Sequence, residues 1–326
     1  MQFVPKKTEI LTKYTLKKYE QSDYKIWNEF IAQAKNATFL FHRDFMEYHK
    51  DRFEDFSLLV YEDQKLISVL PANKVGETIH SHQGLTYGGL VYSGKLKAEK
   101  VELILDEIIS FLKENAIETF YYKPIPGFYF PEGNNEIDFF LFKRGAILDR
   151  KEMNLAVNLE LSLQISKSKL KHFRRIEDLD LDLIEEKDFA RFWDEILEPR
   201  LLEKFNAKPV HTKEEMAFLK KKFPENIRQY CVCQNDKIIA GITVFETENV
   251  VKSQYGATSK KGEEVRALDF LFINLIEKYK RKGKRFFDMG IVNEENESGY
   301  HPGLLKQKEE LGCKVYNQDF YKITIK

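Results

Sequence analysis

Apolar residues recur at helical spacing in two long stretches of the chain. Val101, Ile104, Leu105, Ile108, Ile109 and Leu112 predict one buried helix face over residues 99–114. Leu268, Leu271, Phe272, Leu275, Ile276 and Tyr279 repeat that face at an offset of 167 residues. A short apolar run follows each helix, at 119–122 and at 285–290, and reads as a strand. Upstream, runs at 57–62 and 65–70 flank the polar turn Asp63-Gln64 and predict a hairpin. Residues 232–239 repeat it around Asn235-Asp236, at an offset of 172. Ser81 and Gly84 fall on Ser253 and Gly256 at that offset, Trp27 on Trp193 at 166, and Gly145 on Gly312 at 167. Offsets that change only inside loops mark a tandem duplication of one α/β unit.

The first copy opens with a capped helix over 22–35, followed by polar-aromatic text carrying His42, Arg43 and His49. A third strand ends in residues 79–84, where His80 and His82 share a face. Then come a glycine-rich link through Tyr87, Gly88 and Gly89 and a Pro/Gly/Asn-rich loop at 124–135. The second copy runs through a β-like stretch ending in Gln254 and Tyr255, a turn from Gly256 to Gly262, the helix and the strand. A polar loop leads to Tyr300, and a last helix spans 303–312. Strand, turn, helix, strand is a plan for a ligand site at the mouth of a sheet.

Between the copies, residues 166–176 hold five Lys and Arg residues, including Lys171, Arg174 and Arg175, and no acid. Leu170, Phe173 and Ile176 give this segment an apolar stripe, so it reads as a helix lying on the protein. Its basic face is either solvated or a contact for phosphate or RNA. With 326 residues, 43% of them hydrophobic, the chain has material for two domains. Fifty-two basic and 52 acidic residues cancel, so the global charge points to no polyanion such as DNA. Three cysteines make no disulfide framework, and Cys231 and Cys233 read as small core residues on one strand face. No run reaches the ~20 apolar residues of a membrane span, and the N-terminal text lacks a signal peptide's apolar segment. The expectation is a cytoplasmic protein. His80 and His82 lack a third ligand, so no metal site is expected.

Three elements carry a family resemblance. Residues 279–290, Tyr-Lys-Arg-Lys-Gly-Lys-Arg-Phe-Phe-Asp-Met-Gly, are similar to a helix ending followed by an aromatic-Asp-x-Gly strand. Residues 303–312, Gly-Leu-Leu-Lys-Gln-Lys-Glu-Glu-Leu-Gly, resemble a Gly-Leu-x-x-Phe-Lys-x-x-Phe-Gly element, and 171–175 a basic domain-opening segment. Together with the order of elements, they resemble the GNAT acyltransferase superfamily and, as a tandem pair, the Fem-type (FemABX) peptidoglycan aminoacyltransferases. Gln307 stands where that family has an aromatic residue; Lys308 aligns with its lysine, which contacts the reacting centre or nearby phosphates.

The resemblance implies an α/β (α+β) fold of two GNAT-like units, each a mixed, mostly antiparallel sheet flanked by helices. Residues 1–160 would form the first, 161–187 a basic helical linker opening the second, and 188–326 the second unit with the reaction centre. It implies N-acyl transfer to an amine of a cell-wall precursor or nucleotide-linked sugar. The donor would be aminoacyl-tRNA or acyl-CoA, with no permanently bound cofactor. The alternative is a non-catalytic binding protein that kept the fold.

The duplication acts as an internal control. Asp288, Tyr300, Lys306 and Lys308 fall on Tyr121, Gly133, Phe139 and Leu141, so the second copy is polar where the first is not. Acyl transfer needs a proton acceptor, a charge for the oxyanion and a proton donor, which Asp288, Lys308 and Tyr300 can supply. Each also has a structural reading: a cap, a solvated lysine, a half-buried aromatic. Arg43, His82, Gln254, Tyr255, Arg266 and Lys306 are further candidates for substrate contact. The turn at 260–266 has one glycine and two carboxylates, which suit a helix N-terminus but repel a pyrophosphate. The Tyr87-Gly88-Gly89 turn is either a backbone-amide cradle or a tight connection.

Overall fold

The computed structural model describes residues 14–130, 132, 135–177 and 179–326; Gly133, the counterpart of Tyr300, lies outside them. The helices Ala98–Glu114 and Ala267–Arg281 bury the faces that their spacing predicts, except that Ile109 and Leu268 at the edges stay half-buried. Both close in the same way. The Ile117 N–H donates to the Leu112 carbonyl and the Lys284 N–H to the Tyr279 carbonyl, around Ala116 and Gly283 at φ 57° and 76°. The closure satisfies carbonyls that a helix end leaves orphaned. Helices Glu136–Lys143 and Pro302–Glu310 repeat the device, Ala146 N–H to Leu141 and Cys313 N–H to Lys308, around Gly145 and Gly312. All these positions keep the 167 offset, so the duplication is written in backbone geometry as well as in sequence.

The helix expected over 22–35 is shorter, Tyr24–Ile31, because the Lys35 N–H leaves the helical path to donate to the Tyr92 carbonyl. The face expected to join His80 and His82 does not form. The strand Thr78–His80 stops there, and His82 takes a left-handed φ of 70° that turns its ring toward His49.

Tyr14–Lys18, Leu58–Glu62, Lys65–Leu70 and Val91–Tyr92 form an antiparallel sheet. Eleven further strands make one continuous sheet. Its second-copy side runs Asp182–Glu186, Ile227–Gln234, Lys237–Glu246, Val250–Thr258 and Phe286–Ile291; its first-copy side includes Thr119–Tyr122 and Thr78–His80. In the middle the copies interlock. Ile147–Asn158 lies beside Phe286–Ile291, and Lys314–Thr324 lies beside Thr119–Tyr122.

Each copy has its own core, and a third is shared. There Trp27 and Trp193 are fully buried, and rings cross from one copy to the other, as Phe39 does to Phe223 at 5.3 Å. The indole N–H groups donate to the Phe41 and His211 carbonyls, which satisfies the polar edge of each ring.

The parallel strand pairs decide where a site can form. In the first copy Thr78, Ile79 and His80 pair with Thr119, Phe120 and Tyr121; in the second, Val250, Val251 and Lys252 pair with Phe286, Phe287 and Asp288. The strands part after the third pair in both. Two equivalent clefts result.

Candidate functional site

Lys252 and Asp288 close the parallel pair of the second copy, with Nζ 3.3 Å from Oδ2. Asp288 is buried and receives three more hydrogen bonds: from the Tyr129 hydroxyl at 2.8 Å, the Asn154 amide at 2.9 Å and the Gly290 N–H at 2.8 Å. Burial opposes its charge. The Lys252 ammonium, then the Gly290, Asn154 and Tyr129 donors, nevertheless hold the carboxyl below the usual aspartate value. A carboxylate with four donors orients its neighbours. It is poorly placed to take up a proton.

Lys308 approaches from the last helix, at the same strand end. Its Nζ donates to the Gly290 and Ile291 carbonyls at 3.0 and 2.9 Å. Burial, with the Lys252 charge adding to it, pushes its ammonium down to about 8. Gly290 is at φ 77°, where a side chain would be strained, and this bend presents the carbonyls to Lys308. Gln307, in place of the family's aromatic residue, donates to Asp269. Lys306 faces solvent. Tyr300 pairs through its backbone with Asn293 and packs, half-buried, against the second copy's core. Among the described residues no hydrogen bond joins its hydroxyl to Asp288 or Lys308.

A cavity of about 200 Å³ opens over the pair, walled by Tyr87, Tyr129, Glu152, Asn154 and Gln318. Four of these, Tyr87, Tyr129, Glu152 and Asn154, come from the first half's loops and its exchanged strand, so both copies build the site. Past Lys252 the strand Val250–Thr258 keeps one ladder, to Lys237–Glu246, and among the described residues no strand covers its other edge. Gln254 sits in a bulge there, and its Oε1 is buried without a hydrogen-bond partner. An open edge of this kind binds an extended amide-bearing chain. Tyr255 lies to the other side, its hydroxyl on the His211 Nδ1 at 2.6 Å.

Tyr87 apart, which also walls the cavity, the first copy's candidates are engaged in structural contacts. Arg43 is buried and held by Asp55 and Glu47, and its guanidinium stacks 3.6 Å from the Tyr19 ring. The Tyr87 hydroxyl contacts Thr38, the Gly88 N–H donates to the Lys123 carbonyl, and Gly89 is at φ 88° against Tyr122. Gly88 has no room for a Cβ, which would meet the Ser81 carbonyl oxygen at 1.6 Å. That geometry is a tight connection. His82 is buried, and its neutral ring is pushed down to about 3 by burial and then by His49.

The basic segment is the helix Lys167–Glu177, seated by Phe173 stacked on Phe270 at 5.2 Å and by buried Lys169 on Asp269. Lys171, Arg174 and Arg175 point outward. Beside it, the turn before the second long helix lines a cavity of about 430 Å³ and carries the protein's own ion pairs. Glu263 is held by Arg200 and Lys204, and Arg266 is exposed at φ 57°.

Sequence reasoning missed Lys252, Tyr129 and Asn154. The signal for Lys252 was present, because the 172 offset sets it against His80 just as 167 sets Asp288 against Tyr121. Tyr129 and Asn154 gave none, since they arrive from the other copy.

No protein-family model matches the sequence, and no curated protein matches it significantly. Solved structures do match. FemX superposes with a TM-score of 0.68 at 11% identity, covering 95% of this chain and 97% of that one. L-PGS from Bacillus licheniformis gives 0.54 at 15% identity, over 78% of this chain and 80% of that one. A tandem GNAT protein from the clavulanic acid biosynthesis pathway gives 0.52 at 11%, over 96% and 99%. At these identities the likeness is one of fold, and that fold is the tandem GNAT-like acyltransferase architecture of Fem type.

Proposed function

We propose that the chain is an N-acyltransferase whose reaction centre is the end of the Phe286–Ile291 strand. The observation that carries this is the juxtaposition of Lys252, Asp288 and Lys308 at the parting of two parallel strands beside an open strand edge. An acyl or aminoacyl group lying along that edge would bring its carbonyl toward the two ammonium groups. Lys252 and Lys308 stabilise the oxyanion as the amine attacks. Asp288 is a positioning residue that fixes Lys252 and Tyr129. Tyr300 remains a proposed proton donor, reached by movement of its loop.

In this reading the acceptor is an amine on a cell-wall precursor or nucleotide-linked sugar, and the chain works in the cytoplasm. The units are 1–160 and 188–326, with the basic helix opening the second. The donor is aminoacyl-tRNA or acyl-CoA. The ion-paired Glu263 at the helix turn disfavours a pyrophosphate there, while the outward Lys171, Arg174 and Arg175 suit a polynucleotide. That same ion-paired turn is what favours the second reading, a binding protein without transfer activity. Calorimetric titration of the full chain with acetyl-CoA, longer acyl-CoAs and charged tRNA separates them. Binding of one donor supports transfer; binding of none by folded protein overturns it.

A further inference from the structure

A second cavity, of about 280 Å³, adjoins the reaction centre, and Pro126 and Gln318 line both. Among the described residues its lining holds two carboxylates, Asp138 and Asp319, and no basic side chain. The reaction centre next door is lined by Lys252 together with Asp288 and Glu152, so a basic side chain lines that chamber and none lines this one.

The acids around this cavity differ in what they touch. Glu136 is paired with Lys35 and with the Tyr92 hydroxyl, Asp319 with Lys151, and Asp288 with four donors. Asp138, itself half-buried, stands apart: its Oδ1 is shut off from solvent and has no hydrogen-bond partner among the described residues. An unpaired buried carboxylate oxygen is costly, although Asp138 also stands in the first turn of its helix, where the dipole favours a negative charge. Burial, then the Asp319 and Glu136 charges, push this carboxyl up to about 6, which leaves it ionised at neutral pH. Tyr122, Phe128 and Tyr316 supply aromatic surface to the same walls. Aromatic rings with an unneutralised carboxylate are the surroundings that bind an organic ammonium ion.

We propose that this cavity is a cation pocket for the acyl acceptor: it takes an ammonium group of a dibasic amine, whose other amine reaches Lys252 and Asp288. The acceptor assignment rests on the transferase reading above; the ammonium pocket itself does not. An ammonium group held at Asp138 tethers the molecule at that threshold and sets the reach of its other amine.

The test is calorimetry on the full chain without any donor, using 1,4-diaminobutane and its uncharged analogue 1-butanol. Diaminobutane binds and butanol does not, and Asp138→Asn weakens the diamine at least about tenfold, the worth of one charge-assisted hydrogen bond. Asn317→Lys, an exposed strand position in the cavity wall, also weakens it by adding a competing charge, and covers the case in which Asp138→Asn fails to fold. Absence of diamine binding, or an affinity unchanged in whichever of these variants folds, overturns the proposal. Amine binding with no transfer from any donor would instead sink the transferase reading alone.

Discussion

Lys252 and Asp288 hold, in the second copy, the two register positions that His80 and Tyr121 hold in the first. In one copy the pair is an ion pair at 3.3 Å; in the other it is a coplanar ring stack at 5.0 Å. The same backbone device has been given two chemistries. Lys252→Met would strand Asp288 as a buried charge, at a cost of about 3 kcal/mol. Urea unfolding measures it. A midpoint equal to wild type would mean that Tyr129, Asn154 and Gly290 suffice to hold the carboxylate.

Lys308 carries a pH signature. Its native ammonium is lowered to about 8, against 10.5 ordinarily. Between those values the unfolded chain binds more protons than the native one, so this group makes stability rise with pH across that window. Activity that uses the charge moves the other way. Turnover should fall above pH about 8, and Lys308→Met should remove that limb while lowering turnover at least about tenfold. A flat alkaline profile in wild type takes Lys308 out of the reaction.

Asp138 predicts the opposite exchange. Its native carboxyl is raised to about 6 from 3.8, so the native state holds extra protons between those values and stability falls as pH rises through them. Asp138→Asn should therefore stabilise the chain on the order of 1–2 kcal/mol at pH about 7.5 and change little below pH about 4. Thermal melts at the two pH values decide it. Destabilisation at neutral pH would show that the carboxylate has an internal partner.

The duplicated helix ends predict matching costs. Gly145 and Gly312 are both left-handed, at φ 76° and 94°. A Cβ at Gly145 meets open space, and one at Gly312 comes no nearer than 3.4 Å to the Gln164 backbone, an ordinary contact. Gly145→Ala and Gly312→Ala should each cost about 1 kcal/mol, the left-handed penalty alone. A much larger loss at Gly312 in chemical denaturation would show that the backbone beside it cannot take a methyl group.

The repeat, the long helices and the polar end of the Phe286–Ile291 strand were legible because they are local patterns: spacing, turn residues and offsets. The exchange of Ile147–Asn158 and Lys314–Thr324 was not, because alternation marks a strand without naming its neighbour. That exchange brings Asn154 to Asp288, and the loop holding Tyr129 crosses the copies in the same way. The candidate site was thus half visible. Asp288 and Lys308 stand out against Tyr121 and Leu141, while Lys252 needed the second offset and the parallel register to be seen. Arg43 shows the converse failure, a polar residue in suggestive text whose charge is wholly consumed by Asp55 and Glu47.

The claim that the reaction centre lies at the second copy's parallel strand pair and not at the first's is tested most directly by the single-turnover transfer rate of two matched variants, Lys252→Met and His80→Met, with saturating donor. The account predicts that Lys252→Met loses at least about tenfold while His80→Met stays within about twofold of wild type. Full activity in Lys252→Met, or equal losses in the two, would contradict it.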